Sequence, residues 1–138
     1  MADIIFLDGG LGQEINKRSS KAKSHPLWSL KVMYDEPEIV SKAHLDFINA
    51  GAKVLSLNTY TATLSRLKTY EDSKDLQYTH KLAYTIMLNA IEKSNIDRNE
   101  IDIAGCLPPL VASYIASEAL PFKESVLQFQ KLIKVQIE

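Results

Sequence analysis

The sequence predicts an α/β fold in which short parallel strands alternate with helices. Three apolar runs, Ile4–Leu7, Lys53–Leu57 and Ile101–Gly105, are short enough for buried strands and lie far enough apart for a helix between them. The intervening segments, 35–50 and 75–93, repeat apolar residues at helical spacing. Each run stops abruptly on polar or turn-forming residues. The order β-α-β-α-β-α implies a parallel sheet with right-handed crossovers.

The first run is expected to be a strand buried on both faces. It breaks at Asp8-Gly9-Gly10, where the carboxylate belongs at a strand end and the glycines permit positive φ or a close ligand approach. Gln13–Lys17 suits a short helical turn, and Arg18–Ser24 reads as a polar loop. His25-Pro26-Leu27-Trp28 holds the single tryptophan. Its plainest role is to pin the loop to the fold; its alternative is to line a ligand pocket.

Asp35-Glu36-Pro37-Glu38 has the form of a helix start, with Asp35 as N-cap and acidic residues in the first turn. Ile39, Val40, Ala43, Phe47 and Ile48 make an apolar stripe that ends at Asn49-Ala50-Gly51. His44 lies beside the stripe and reads as structural or half-exposed before it reads as a ligand.

The second strand ends in Asn58-Thr59-Tyr60-Thr61, and residues 62–74 form a connection with room for a short helix. A long helix follows over Asp75–Lys93, with His80 expected at the surface. The third strand runs into Cys106-Leu107-Pro108-Pro109, where the prolines forbid further ladder bonding. A last helix starts near Phe122, with Val126, Phe129, Leu132, Ile133 and Ile137 on one face.

The totals fit one globular domain: 138 residues, 46% hydrophobic, 24% charged. A formal net charge of -1 supplies no basic field, so neither nucleic acid nor an anionic membrane is an expected partner. A lone cysteine excludes an internal disulfide and suits a reducing compartment. Met1-Ala2-Asp3 lacks a signal-peptide pattern, and no apolar run approaches the roughly 20 residues of a membrane span. The expected location is cytoplasmic.

In parallel α/β folds, ligands sit beyond the carboxyl ends of the strands. Asp8-Gly9-Gly10, Asn58-Thr59 and Gly105–Pro109 all fall there, so a small-molecule pocket is expected where they converge. A dinucleotide site fits the spacing poorly, because Gly10 and Gly12 are followed by Ile15 where the third glycine belongs. A helix N-terminus near Gly12 remains suited to a carboxylate. Cys106 has no His or Cys at metal-ligand spacing, which favours a small strand-end residue over a nucleophile or ligand.

Taken together, Leu7-Asp8-Gly9-Gly10-Leu11-Gly12 with Glu14, His25-Pro26-Leu27-Trp28-Ser29, and Pro37-Glu38 through His44 and Phe47 to Ala50-Gly51-Ala52 form a pattern. Asn58-Thr59-Tyr60 and Gly105-Cys106-Leu107-Pro108-Pro109 continue it in order. This pattern resembles the homocysteine S-methyltransferase family, zinc enzymes of the betaine–homocysteine and S-methylmethionine–homocysteine type. The resemblance implies a partial (β/α)8 TIM barrel of about the first three βα units, so that residues 1–138 are the incomplete amino-terminal part of a homocysteine-binding domain.

It also implies that Asp8, Gly9 and Gly10 hold the amino-acid end of homocysteine, with Asn58 and Thr59 as a second polar pair. The implied partners are homocysteine and a small sulfonium or ammonium methyl donor, and the implied product is methionine. The implied zinc would hold the homocysteine sulfur as thiolate. Its cysteine ligands lie in the family's later barrel strands and are absent here, and the family usually has Ser where Cys106 stands. No catalytic residue is assigned, and no metal role passes to Cys106. A whole barrel needs about 250 residues, so the chain is expected to be a partial, inactive copy with an open sheet edge that invites self-association. Two other readings stand beside it. One is a non-catalytic amino-acid-binding half-barrel that oligomerises; the other is a lyase using Asp8 as acid or base.

Overall fold

The structure, a computed structural model, describes residues 4–20, 25–71 and 73–137. The expected absence of a leader at Met1-Ala2-Asp3 and part of the expected Arg18–Ser24 loop lie outside these residues.

After an extended segment at residues 4–8, helix α1 covers Leu11–Arg18, wider than the turn read from the sequence. Its charges follow the helix dipole, with Glu14 in the first turn and Lys17 and Arg18 in the last. Leu11 and Ile15 are its buried positions. Arg18 reaches Glu14 at 2.9 Å and Asp46 at 2.7 Å, tying α1 to the helix carrying Asp46.

A second helix, α2 over Ser29–Asp35, was not expected. Its Leu30, Val32 and Met33 are fully buried, and Trp28 turns the chain into it with φ 52°. Asp35 is therefore the last residue of α2, bonded to Lys31 at 3.0 Å, and not an N-cap. The next helix, α3 over Pro37–Asn49, starts from Glu36 with no side-chain cap and Pro37 at its head. Proline is at home there because the first-turn N–H lacks a helical acceptor in any case. Val40, Ala43 and Ile48 of the expected stripe are buried, and Ile39 and Phe47 pack against the core. Gly51 ends the helix at φ +98°, a conformation that costs a Cβ-bearing residue.

Strand β1 covers Val54–Ser56, helix α4 covers Leu64–Thr69 and helix α5 covers Leu76–Ser94. The long helix is capped at both ends: Asp75 accepts from the Tyr78 N–H, and Asn95 adopts the left-handed conformation. Strand β2 covers Asp102–Ala104 and pairs in parallel with β1, Leu55 opposite Ile103. Helix α6 covers Phe122–Ile137. Leu55 is fully buried in the main core, which α3 and α5 dominate by packing against each other.

Three expectations fail. Ile4–Leu7 is not a strand buried on both faces: its residues are 81, 61, 63 and 65% exposed, and only Leu7 pairs, as an isolated parallel bridge to Val54. Nothing among the described residues packs on it. His80 is not at the surface; at 3% exposure it lies in the interior. The α6 stripe is mostly bare, since of its expected residues only Leu132 is buried. No helix among the described residues is long and apolar enough to cross a membrane.

Trp28 plays the pinning role. A Cβ built on Gly12 would stand 2.7 Å from its ring, so α1 approaches the ring as only glycine allows. Gly12→Ala is expected to destabilise the chain by about 1–3 kcal/mol through this overpacking. Thermal unfolding checks it, and an unchanged Tm would mean that the ring yields without cost.

Candidate functional site

The strand-end residues split into one that faces outward and two that are consumed by the fold. Asp8 ends the first segment half-buried, its N–H donating to the Val54 carbonyl at 2.9 Å. Its Oδ2 accepts from the Ser56 N–H at 2.8 Å and its Oδ1 from the Ser56 hydroxyl at 2.9 Å. This fixes the carboxylate, yet each oxygen keeps a lone pair for a further donor.

Gly9 and Gly10 are exposed and carry the chain from Asp8 into α1. Neither takes positive φ, contrary to the first of the two roles expected of them. Close approach explains Gly9, where a Cβ would meet the Phe47 ring at 3.1 Å. Gly10 is the N-cap of α1 and supplies no side-chain bond, so the first-turn N–H groups of Gly12 and Gln13 have no acceptor within the helix. Asp8 and the start of α1 thus bring a carboxylate and N–H groups without helical acceptors within a few residues of each other.

Asn58 and Thr59 are brought close to Asp8 through Ser56, but both are buried, at 4% and 0% exposure. The Asn58 amide is fully engaged: Oδ1 accepts from the Ser29 hydroxyl at 2.8 Å, and Nδ2 donates to the Ser29 carbonyl at 3.0 Å. Thr61 donates to the Leu27 carbonyl at 2.8 Å and Thr63 to the Leu110 carbonyl at 2.7 Å. The polar run after β1 therefore stitches two loops to the strand end. The Thr59 hydroxyl is buried and without a partner among the described residues.

The third strand end is held by a residue the sequence reading passed over. Gln136 of α6 accepts from the Cys106 N–H and donates to its carbonyl, both at 2.9 Å. Its amide pairs with Cys106 as a neighbouring strand would, and a Cβ on Gly105 would stand 2.1 Å from its oxygen. Cys106 is half-buried, and burial pushes its thiol pKa up, away from the reactive thiolate. Ser29, Ser56 and Gln136 were missed as site residues because their partners lie 29, 48 and 30 residues away.

Two histidines lie in the interior instead of the site. His44 is fully buried with neither nitrogen bonded among the described residues, and desolvation lowers its pKa to about 4. His80 is also lowered by burial, partly offset by its contact with the Ala62 carbonyl at 3.3 Å. It lines a cavity of about 510 Å³ with Leu57, Tyr84 and Gln136, which includes neither Asp8 nor Asn58.

No group of three or more His, Cys, Asp or Glu among the described residues could hold a metal ion. The zinc implied by the resemblance finds no set of ligands there, and Cys106 alone, with a raised thiol pKa, does not make one.

A parallel α/β fold with its polar residues gathered where the strands end belongs to the class that binds small molecules at that end. The homocysteine S-methyltransferase family model matches residues 5–138, and the chain belongs to that family. It is 38% identical over 61 residues to a homocysteine S-methyltransferase of Escherichia coli, covering 44% of this chain and 19% of that one. It is 32% identical over 71 residues to homocysteine S-methyltransferase 3 of Zea mays, covering 51% and 21%. A selenocysteine Se-methyltransferase of Brassica oleracea is 36% identical over 59 residues, covering 43% and 17%. In fold it matches the metallated form of the E. coli homocysteine methyltransferase MmuM, with a TM-score of 0.81 and 21% identity over 99% of this chain and 50% of that one. The chain thus spans half the length of that structure and aligns with smaller shares of the curated relatives.

Proposed function

We propose that this chain forms the amino-acid-binding part of a homocysteine S-methyltransferase, built as about the first three βα units of a partial (β/α)8 barrel. Family membership supports the substrate class. The observation that carries the site is the Asp8 carboxylate, fixed by Ser56 beside the uncapped start of α1. A free amino acid is a zwitterion: its ammonium suits Asp8 and its carboxylate suits the outward N–H groups of Gly12 and Gln13. Gly9 and Gly10 keep that approach clear of side chains. Asn58 and Thr59 act behind the surface, holding Ser29 and the strand-end loop in place. The thiol end points to a sulfonium or ammonium methyl donor, with methionine as product, in the cytoplasm. Because the described residues offer no zinc site, the chain by itself binds homocysteine without transferring a methyl group.

Calorimetric titration of the purified chain with homocysteine tests this. Measurable binding is expected, weakened at least tenfold by Asp8→Asn, which keeps the shape but removes the charge. Equal binding by the variant, or none by the wild type, overturns the assignment. Methionine produced from homocysteine and S-methylmethionine by the chain with added zinc would overturn its inactivity.

A further inference from the structure

Arg66 of α4 is held firmly, but by neutral groups. Thr63 caps that helix, accepting from the Arg66 N–H at 3.3 Å and donating to the Leu110 carbonyl at 2.7 Å. Arg66 Nη2 donates to the Val111 carbonyl and, at 3.2 Å, to the Ser113 hydroxyl. Tyr60 bonds the same hydroxyl at 3.1 Å. The guanidinium is thus fixed between α4 and the loop after β2, with only Nη2 engaged. Nε is buried without a partner, Nη1 forms no bond, and no carboxylate pairs with Arg66 among the described residues. A carbonyl and a hydroxyl carry no charge, so this half-buried cation lacks a counter-ion.

Arg66 lines a cavity of about 280 Å³ together with Ser65, Thr69, Tyr70, Val111, Ala112 and Glu118. Its walls are the segments that follow β1 and β2, which are paired neighbours in the sheet. The cavity therefore lies between two described units of the chain and not at an open sheet edge. Asp8, Gly12 and Gln13 take no part in it.

We propose that this cavity binds the carboxylate of a small molecule, at a site separate from that around Asp8. The carboxylate accepts from Arg66 Nη1, and Val111 and Ala112 supply apolar wall for a short carbon chain. The remaining polar groups set the charge class. Ser65 donates its proton to Gln128 and Thr69 donates to the Ser65 carbonyl, both at 2.9 Å, so each hydroxyl offers only lone pairs. Glu118 adds a negative charge to the same wall. A dianion such as phosphate would meet that charge and those lone pairs, whereas a single carboxylate needs only Arg66. The volume lies below the range of drug-sized pockets, which limits the ligand to a few carbons.

The Arg66 Nε–H supplies a local readout in NMR spectra of the nitrogen-labelled chain at constant ionic strength. Propionate, and alanine with its added ammonium, are expected to shift this signal and the Ser113 amide saturably, at about 1–10 mM. Tighter binding of alanine would identify an amino acid as the source of the carboxylate, and equal binding a plain acid. Inorganic phosphate should bind at least tenfold more weakly. Arg66→Gln, read at the Ser113 amide, should abolish the response. Because that change also frees Val111 and Ser113, a second variant leaves the loop alone: the Glu118 side chain forms no bond among the described residues, and Glu118→Gln should strengthen phosphate binding at least threefold. Asp8→Asn, which tests homocysteine binding, should leave the propionate shifts unchanged, so either proposal can fail alone. No saturable shift with either acid, phosphate binding equal to propionate in the wild type, a response that survives Arg66→Gln, unaltered phosphate binding in Glu118→Gln, or loss of the propionate shifts in Asp8→Asn would each overturn the proposal.

Discussion

Asn58→Leu is expected to cost about 3–5 kcal/mol of folding stability. Leucine keeps the branched skeleton but its two methyl groups are bulkier than the amide, so the loss combines hydrogen bonding with overpacking of a buried site. The amide of Asn58 satisfies both the hydroxyl and the carbonyl of Ser29 in a region where neither residue reaches water. Leucine leaves the Ser29 hydroxyl buried and without its acceptor, at about 1–3 kcal/mol, while the Ser29 carbonyl, first in α2, keeps its helical donor. Ser29→Ala removes one bond and leaves only the Asn58 oxygen short of a donor, so it should cost about 1–2 kcal/mol. Urea unfolding of both variants and of the double variant separates the terms. If Asn58→Leu costs no more than Ser29→Ala, the bond to the Ser29 carbonyl contributes nothing and the strand-end stitch is held elsewhere. A large stability loss would also show why Asn58 matters to a substrate it does not face: it positions the loop that carries Ser29.

That distinction marks what the sequence could and could not reveal. Local signals succeeded in part: the long helix expected from Asp75 is there, with Asp75 as its N-cap, whereas the equally local N-cap expected at Asp35 is the end of α2. Long-range pairing was invisible. Ser56 on Asp8 and Gln136 on Cys106 join positions that no pattern in the chain links. The apolar run Ile4–Leu7 was expected as a strand buried on both faces, but burial depends on neighbours the pattern does not show, and the described residues leave it bare. Helix α2 was lost because Trp28 enters it through positive φ, which no N-cap residue advertises. His80 was misplaced for a related reason. Exposure on a helix depends on what packs there, and α5 is packed by α3 and α6.

His44 turns its burial into a measurable acid sensitivity. Its folded pKa of about 4 lies below the usual 6.5 because the imidazolium would be desolvated with no acceptor for either N–H. The unfolded chain therefore binds more protons than the folded one between those values. Stability is full above pH 6.5 and falls as the pH drops toward 4. Loss from this residue should reach about 3 kcal/mol below pH 4. His80, lowered for the same main reason, adds in the same direction. His44→Leu isolates the first contribution: a neutral, apolar side chain removes two unsatisfied nitrogens and cannot be protonated. The variant should match or exceed wild-type stability at pH 7 and pull further ahead as the pH falls through the window. Denaturant midpoints at pH 7, 5.5 and 4.5 read the difference. Parallel curves for the two proteins would mean that His44 gains a partner or water when charged, and that α3 is less tightly enclosed than its packing indicates.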